Sequence, residues 1–579
     1  MNSKKLSVLF LSGALLTGLL SSCSARTTFS TPHTQSDFLA SSSPSVSIEQ
    51  PANETTIKLS ENNVTVDGQT AGTEQAPVYV SNDIIYYEDR EAYESGNPYG
   101  EGTESERHRA QDAAAHTVVN ITAPGTYRIS GQLPLGQIRV DLGEEASEDP
   151  SAVVTLILDG ADITCEVAPA ILFLNVYECD NGWSTETATF QVDTSAAGAN
   201  LILAEGSKNK ATGSHVARIY KDNTEEKKLW KQDAAVYSYM SMNVDGTGSL
   251  EINADNEGLD TELHMTINGG NINIFAQNDG INTNEDGVSV TTINGGNLHI
   301  VAGLGEEGDG IDSNGWLVIN GGTVIASANP AADAGLDSDM GSYINGGTVV
   351  ALGSTMDWAE SDSDQVTMNL QFAEYKDSES AIVITKEDGS YVFAYDPSDD
   401  EVLGEHTRRY MGAILSSPDF AVGDTYQVFI SGTITGTETA GVYDVSSITT
   451  FDEGTQQGYT GTDVMMRPGG MGGGRPEFNG ERPEFPDGEF PPMPDGEQSE
   501  WPEGEAPQMP EGEFPQHQRP LPPEGAMSGR PDGQPPKGSM TQIPGGFSQN
   551  EDGSITLEKA QSNFYMQDKV NAFSGLADL

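Results

Sequence analysis

A fourfold internal repeat is the feature that most constrains the fold of this chain. The tetrapeptide INGG begins at Ile267, Ile293, Ile319 and Ile344, so successive repeats are 26, 26 and 25 residues apart. A period in the twenties that combines short β-rich runs with glycine turns is typical of solenoids, in which each repeat forms one coil. The LxxLxL frame of leucine-rich repeats is absent. The repeat therefore predicts an all-β solenoid of the parallel β-helix type.

Strand alternation predicts which side chains of each repeat face the interior. The residues expected to point inward are Met265, Ile267, Ile272, Ile274, Leu298, Ile300, Leu317, Ile319, Val324, Ala326, Ile344, Val349 and Ala351. Stacked coils would align these residues and bury a core that no single repeat could bury. The glycine pair permits a tight corner at positive φ. The preceding asparagines are expected to cap that corner and to bond along the stack; they are Asn268, Asn294, Asn320 and Asn345.

Oxygen-bearing side chains recur at another corner of each repeat. They are Glu257, Asp260, Asp279, Asn282, Asp309, Asp312, Asp333, Asp337 and Asp339. Coils stacked about 4.8 Å apart would place like charges at a distance where two of them repel by roughly 1 kcal/mol even in bulk water. No Lys or Arg occurs between Lys231 and Lys376, so the repeats supply no counter-charge.

Calcium is the counter-ion that best fits these corner residues. Carboxylate, amide and backbone carbonyl oxygens are its preferred ligands, whereas Mg²⁺ requires a tighter octahedron and retains its water. We therefore predict Ca²⁺ along the acidic corner. The alternative is a solvated acidic edge whose charges are screened by salt.

The N-terminus has the pattern of a bacterial export signal. Lys4 and Lys5 precede an apolar run over residues 6–20, which is too short for a spanning helix. The run ends in Leu-Ser-Ser-Cys, which resembles a lipobox with Cys23 as the lipidated residue. The alternative is an ordinary secretory peptide. We expect a signal over residues 1–23, a flexible tether over residues 24–50, and a lipid anchor, such as palmitate, holding the protein to the cell membrane outside the cytoplasm.

The rest of the chain divides by composition. Residues 51–116 are predicted to contain some β-structure, residues 117–365 the solenoid, and residues 366–453 a β cap of hairpins. Residues 454–548 are rich in Pro, Gly and Glu and are predicted to be disordered. A C-terminal segment over residues 549–579 follows.

Cys165 and Cys179 could form a disulfide in an oxidising compartment or remain free thiols. The net charge of −60, from 88 acidic and 28 basic residues, argues against nucleic-acid binding.

The segments GTYRISG, LILDGADIT, ILFLN and LILAEGS, together with repeated DGID and INGGTV, resemble a known family. They are similar to bacterial calcium-binding, carbohydrate-binding lipoproteins first described in clostridia, over about residues 117–450. The resemblance implies a right-handed parallel β-helix like that of pectate lyases, calcium held along it, and non-catalytic binding of pectin-like or cellulose-like polysaccharides. Two departures, Asn282 in place of Asp and Ala334 in place of an acid, would weaken or delete a metal site.

A polysaccharide lyase is the principal alternative, because this fold also carries lyases. β-Elimination from a uronate needs a base, commonly Lys or Arg in this fold, and the acidic corner has neither. His264 and His299 are the histidines of the repeats, a residue type that often serves as a base, and alternation turns both outward. Paired carboxylates could serve a hydrolase, but a column of acids selects no pair. We therefore predict binding without catalysis.

Candidate sugar-binding residues lie on the outward face that carries His264. Alternation places Trp316 and Tyr343 on the same face, and aromatic rings stack well on sugars; burial under a loop or the cap is the alternative. An acidic polymer would meet this acidic protein through bridging calcium. A surface spacer or adhesin is a third candidate function, and we expect a monomer.

Overall fold

The computed structural model describes residues 54–61, 63–88, 98–100, 105–180, 184–221, 228–354, 357–462, 547–549, 555–557 and 560–579. Within them, helical structure is limited to the α-helical turn Ala110–Ala113 and the 3-10 turns Glu144–Glu148, Pro397–Asp399, Gly404–His406 and Val445–Ser447. The all-β prediction is therefore confirmed. Cys23, the tether and most of the Pro/Gly/Glu-rich segment lie outside the described residues.

Three columns of stacked parallel strands form the body of the protein. The first column contains Glu54–Leu59, Gly125–Leu133, Val154–Thr164, Ala199–Leu203, Met242–Gly246, Met265–Ile267, Val290–Ile293, Trp316–Ile319 and Gly341–Ile344. The second contains Lys208–Gly213, Ser249–Ala254, Asn271–Ala276, Asn297–Val301, Thr323–Ser327 and Thr348–Gly353. The third contains Thr117–Ile121, Gly136–Asp141, Ile171–Asn175, Ala234–Ser238, Glu257–Thr261 and Ile281–Thr283.

The interior of these columns is the predicted aliphatic core. Every residue expected to face inward is buried and belongs to one continuous apolar cluster. Register explains this continuity, because Ile274 pairs with Ile300 and Ile300 with Ala326 across successive strands. A buried Leu or Ile side chain contributes about 1.5–3 kcal/mol, so each coil is stabilised mainly by its two neighbours.

The asparagine corner is also formed as predicted. The side-chain amides of Asn294, Asn320 and Asn345 each donate to the Oδ1 of the asparagine one coil earlier, at 2.9 Å in every case. The second glycine of each pair has a positive φ, for example 102° at Gly270. We call the row Asn268, Asn294, Asn320 and Asn345 the asparagine ladder.

Antiparallel strands pair with one terminal strand of each column. Val78–Ser81 pairs antiparallel with the first strand of the third column, and the hairpin Thr65–Val66 with Gln69–Thr70 packs beside Glu54–Leu59. At the other end, Tyr410–Ser416 pairs antiparallel with Thr348–Gly353. The sheets are therefore mixed, with parallel pairing in the body and antiparallel pairing towards the ends.

The cap packs around a second apolar cluster, to which residues of the second column such as Ile325 and Val350 also belong. Its strands are Thr367–Lys376, Ile382–Lys386, Tyr391–Tyr395, Tyr410–Ser416, Thr425–Ile430, Thr433–Thr435, Glu438–Thr439, Val442–Tyr443, Thr450–Asp452, Thr455–Gly458, Phe564–Tyr565 and Val570–Asp578. The strand at 455–458 corrects the predicted start of the disordered segment at residue 454. That strand pairs with Val570–Asp578, which in turn runs parallel to Thr367–Lys376, so the chain end completes the cap.

Two smaller groups of strands complete the described structure. Pro98–Gly100, Val216–Lys221 and Lys228–Gln232 form an antiparallel sheet, and Phe547–Gln549 pairs with Ile555–Leu557.

The structure also answers the open question of the two cysteines, because Cys165 and Cys179 are both free thiols. Among the described residues, no helix is long and apolar enough to cross a membrane.

Candidate functional site

The acidic corner residues stack in two registered rows beside the third column, and we call these rows the acid column. In one row, Gly258, Gly280 and Gly310 donate to the carbonyl groups of Asp279, Asp309 and Ala334, which aligns Glu257, Asp279 and Asp309. In the other row, Asp260 pairs with Asn282, and the bridges of Ile311 with its neighbours carry the register on to Asp312 and Asp337. The predicted stacking of these side chains is therefore confirmed. Their role as metal ligands stays a prediction.

Several carboxylates of the acid column are removed from solvent. Asp260 is fully buried, and Glu257 and Asp279 are only 4% and 8% exposed. Side chains also bond from one coil to the next, since the Asp309 amide donates to Asp279 Oδ1 at 2.7 Å and the Ala334 amide to Asp309 Oδ1 at 2.5 Å. These bonds fix the position of the carboxylates, but burial of neighbouring like charges remains costly.

The electrostatic cost of this arrangement appears in the pKa values of two aspartates. Burial raises the pKa of Asp309 to about 8, and the negative charge of Asp337 adds to the effect. Burial also raises the pKa of Asp279 well above its usual range, with the charge of Asp312 as the next cause. The folded chain therefore resists full ionisation of the acid column near neutral pH.

Metal-free protein is expected to lose thermal stability as the pH rises from 5 to 9. Folded Asp309 retains its proton up to a pKa of about 8, whereas the usual pKa is 3.8. The folded state thus binds more protons than the unfolded state in this window, so each pH unit lowers the free energy of unfolding by at most about 1.4 kcal/mol for this group. Melting temperatures in EDTA at pH 5, 7 and 9 measure the slope. Asp309→Asn should flatten it, and an unchanged slope in that variant would contradict the assignment.

The tightest acidic group includes a residue that the sequence analysis missed. Carboxylate oxygens of Asp233, Glu257 and Asp260 all lie within 4.8 Å of one another. Asp233 immediately precedes Ala234–Ser238, the strand one coil before the first recognised repeat. The available signal was the segment AAVYSY directly after Asp233, which pairs with EGLDTE on the next coil. It was weak because Ala234 and Tyr237 replace the two acids of that coil.

The remaining predicted ligands lie farther along the acid column. Asp333 is buried, and its Oδ2 accepts a bond from the Gly308 amide at 2.9 Å. Asp339 is exposed at the outer edge. A further acid, Asp357, joins this end through a 3.3 Å bond from the Ser338 hydroxyl, and burial raises the pKa of Asp357 to about 7.

The predicted sugar-binding face is covered, which corrects the expectation that it is exposed. His264 is 1% exposed and Trp316 8%, whereas Tyr343 is partly buried. Residues 184–198, which we call the strap, cross this face. The apolar cluster beneath and within the strap comprises Ala188, Phe190, Val192, Val290, Trp316, Val318 and Tyr343. These side chains do point out of the core, but the strap removes them from solvent.

Both histidines of the repeats are held by protein groups. The Val290 amide donates to His264 Nδ1 at 3.1 Å, and burial lowers the pKa of His264. His299 Nε2 lies 2.5 Å from Oδ2 of Asp400 in the cap. Alternation turned both rings away from the core, as predicted, but the strap and the cap cover them.

This chain is similar to a family of known proteins, to a curated relative and to a solved structure. The family described as carbohydrate-binding domain-containing protein matches residues 115–407. A carbohydrate-binding domain-containing protein of Acetivibrio thermocellus is 32% identical over 159 residues, which are 27% of this chain and 45% of the relative. A solved polysaccharide lyase-like protein from C. thermocellum, a gadolinium derivative, aligns over 51% of this chain and 93% of its own, at 23% identity and a TM-score of 0.30.

The family assignment rests on the extent of the first match. Residues 115–407 are just over half of the 579-residue chain and contain all three columns of the body except the strand Glu54–Leu59. They also contain the whole acid column and the strap. The chain belongs to the carbohydrate-binding domain-containing protein family.

Proposed function

We propose that this protein binds polysaccharide without cleaving it, through a right-handed parallel β-helix that calcium stabilises. Membership of the carbohydrate-binding domain family supports a polysaccharide partner. The alignment covers less than half of the curated relative. The activity of this protein is therefore proposed from the residues of this chain. The three registered columns of parallel strands support the β-helical winding.

The observation that carries the calcium proposal is the acid column. Its side chains are carboxylates and an amide, which are ligands suited to Ca²⁺. Oxygens of three acids already converge within 4.8 Å of one another. Next to them, the Asn282 amide donates to Glu257 at 3.2 Å, while the buried Asn282 Oδ1 has no hydrogen-bond partner among the described residues. An unsatisfied buried oxygen beside clustered carboxylates fits a cation.

Two groups of residues would hold calcium. Asp233, Glu257, Asp260 and Asn282 form the first, and Asp279, Asp309, Asp312, Asp333, Asp337 and Asp357 form the second. Bound Ca²⁺ would supply the positive charge that the repeats lack. The chain itself contributes the spacing, because the coil register holds successive carboxylates one strand apart.

Two observations support binding without catalysis. A lyase needs a base that can reach the polymer, and the acidic corner is formed by a segment without Lys or Arg from residue 232 to residue 375. The histidines of that segment are buried, at 1% exposure for His264 and 5% for His299. Neither ring is positioned to take a proton from a polymer at the surface.

We also propose that the chain is a lipoprotein anchored to the cell membrane and facing outside the cytoplasm, with Cys23 as the lipidated residue. The lipobox-like sequence before Cys23 supports this. An anchored, acidic binding module would attract acidic polymers only in the presence of cations, because like charges repel.

Binding of polygalacturonate is expected to require calcium. In 2 mM CaCl₂ the full chain should bind, and EDTA should weaken binding at least about tenfold, the equivalent of about 1.4 kcal/mol. Asp309→Asn should weaken binding in calcium several-fold, because it removes one carboxylate. The side-chain oxygen of the asparagine remains available as an acceptor for the Ala334 amide. Affinity electrophoresis in polygalacturonate gels measures each case.

Asp419→Asn, which changes an exposed acid of the cap, is the matched control and should bind like the unaltered chain. Equal binding with and without EDTA would refute the calcium bridge. The same samples should produce no ultraviolet absorbance from unsaturated uronates; release of such products would identify a lyase instead.

A further inference from the structure

A groove of about 580 Å³ runs along the outward face of the first column, between the strap and the asparagine ladder. Strand register builds its floor. Asn243, Thr266, Thr292 and Val318 pair in sequence across four neighbouring strands, so their side chains form one row. The asparagine ladder forms the adjacent row, two residues farther along each strand. The groove therefore spans several coils and is parallel to the stack axis.

The strap forms the other wall, and hydrogen bonds fix its position. Thr194 Oγ1 lies 2.8 Å from Asn243 Oδ1 and 2.7 Å from Thr266 Oγ1. The Asn243 amide donates back to the Thr194 carbonyl at 2.8 Å. Farther along, the Phe190 ring stacks on Tyr343 with centroids 4.2 Å apart. The groove is thus formed before any ligand arrives, which lowers the entropic cost of binding.

The chemistry of the lining is polar but almost uncharged. Each bond within the asparagine ladder uses one amide N–H and one acceptor site, and every amide has a second N–H and a second lone pair. Threonine hydroxyls and the apolar side chains of Ile202 and Val318 complete the floor. The charged residues of the lining are Asp193 and Asp245, and it contains no cationic side chain. Such a surface disfavours an anionic polymer.

We infer that this groove binds an uncharged, linear glycan chain that lies along the stack axis. Sugar hydroxyls both donate and accept hydrogen bonds, as the exposed amides do. The amides repeat at the coil spacing of about 4.8 Å, close to the length of one pyranose residue in an extended chain. A volume of about 580 Å³ is within the usual range of ligand sites. The inference rests on the proposed polysaccharide binding and locates a calcium-independent site apart from the acid column.

Two asparagines provide a matched test. Asn294 donates to Asn268 at 2.9 Å and lines the groove, whereas Asn297 donates to Asn271 at 2.7 Å on the second column, outside it. Each side chain is exposed and bonds one coil back. Asn294 also accepts the Asn320 amide, so alanine removes one more ladder bond there, and a thermal melt of each variant checks that both stay folded. Isothermal titration of the full chain with cellohexaose and mannohexaose measures affinity. Asn294→Ala should weaken binding of the preferred hexaose at least tenfold and Asn297→Ala less than twofold.

A second pair of variants tests occupancy of the groove. Thr292→Tyr should fill its floor and abolish hexaose binding, whereas Thr323→Tyr, at a similarly half-exposed threonine of the second column, should not. Hexaose affinity should also be unchanged in EDTA, measured below the melting temperature of the metal-free protein.

The outcomes separate the groove from the calcium proposal. Equal effects of Asn294→Ala and Asn297→Ala, or hexaose binding that disappears in EDTA, would overturn the groove assignment. Absence of hexaose binding in a chain that still binds polygalacturonate would overturn it as well, but would leave the proposed function intact. Absence of binding to every glycan would remove both.

Discussion

Calcium is expected to raise the melting temperature of the chelated protein by about 5 °C for each occupied site. One site at a hundredfold excess of ligand over its dissociation constant adds about 2.7 kcal/mol to the free energy of unfolding. A large domain gains about 2 °C per kcal/mol. The two acidic groups meet on the coil that carries both Asp279 and Asn282, so occupancy of one site should influence the other and the two increments should not add strictly. The physical source is the compensation of buried negative charge, since burial and then the charge of Asp337 hold the pKa of Asp309 at about 8.

The measurement is a thermal melt of EDTA-treated protein with CaCl₂, MgCl₂ or NaCl added at matched ionic strength. Calcium should exceed magnesium, and sodium should have little effect. Metal analysis of the untreated protein should find calcium. An increase in melting temperature that is the same for all three salts would mean that screening suffices, and the acid column would then be a solvated edge.

Gly310→Ala is expected to lower the free energy of unfolding by about 3 kcal/mol, at the upper end of the range for overpacked cores. A Cβ at Gly310 would overlap the carbonyl oxygen of Gly335 on the next coil and would lie 2.9 Å from the Cβ of Ala326. Gly258 and Gly280 meet the coil that follows them in the same way. The glycine of each DGI or EGL segment therefore allows the coils to approach.

Gly72→Ala is the matched control. Gly72 also lacks a positive φ, but a Cβ there would come no closer than 3.9 Å to the nearest atom. Its replacement should change stability by less than about 0.5 kcal/mol. Denaturant midpoints in calcium-saturated buffer measure both variants. Equal midpoints for Gly310→Ala and the unaltered chain would contradict the close stacking at this corner.

Features that repeat with the coil could be predicted from the sequence. The inward set, including Ile274 and Ile300, is buried throughout, and the asparagine ladder has the expected bonds. The order of the acid column was also predictable, because one register places every equivalent residue. Each coil contacts only its neighbouring coils, so the environment of a repeated residue is the same in every coil. The repeat period and the alternation rule therefore suffice to predict the position of such a residue.

Features that depend on non-repeating segments could not be predicted in this way. Asp233 belongs to a coil whose sequence departs from the repeat, yet it lies with Glu257 and Asp260. Trp316 faces outward as alternation requires, but Phe190 and its neighbours cover it. The cap likewise recruits the strand Val570–Asp578 from the far end of the chain.

Periodicity alone thus established the class of fold, the aliphatic interior, the amide corner and the stacking of the acids. The tertiary structure decided which outward faces are open, because the strap and cap bury His264, Trp316 and His299 through contacts between segments that are distant in sequence. It also decided where a groove exists, since the groove needs the strap as its second wall. Local pattern specifies direction relative to the core, whereas solvent access depends on what packs from elsewhere.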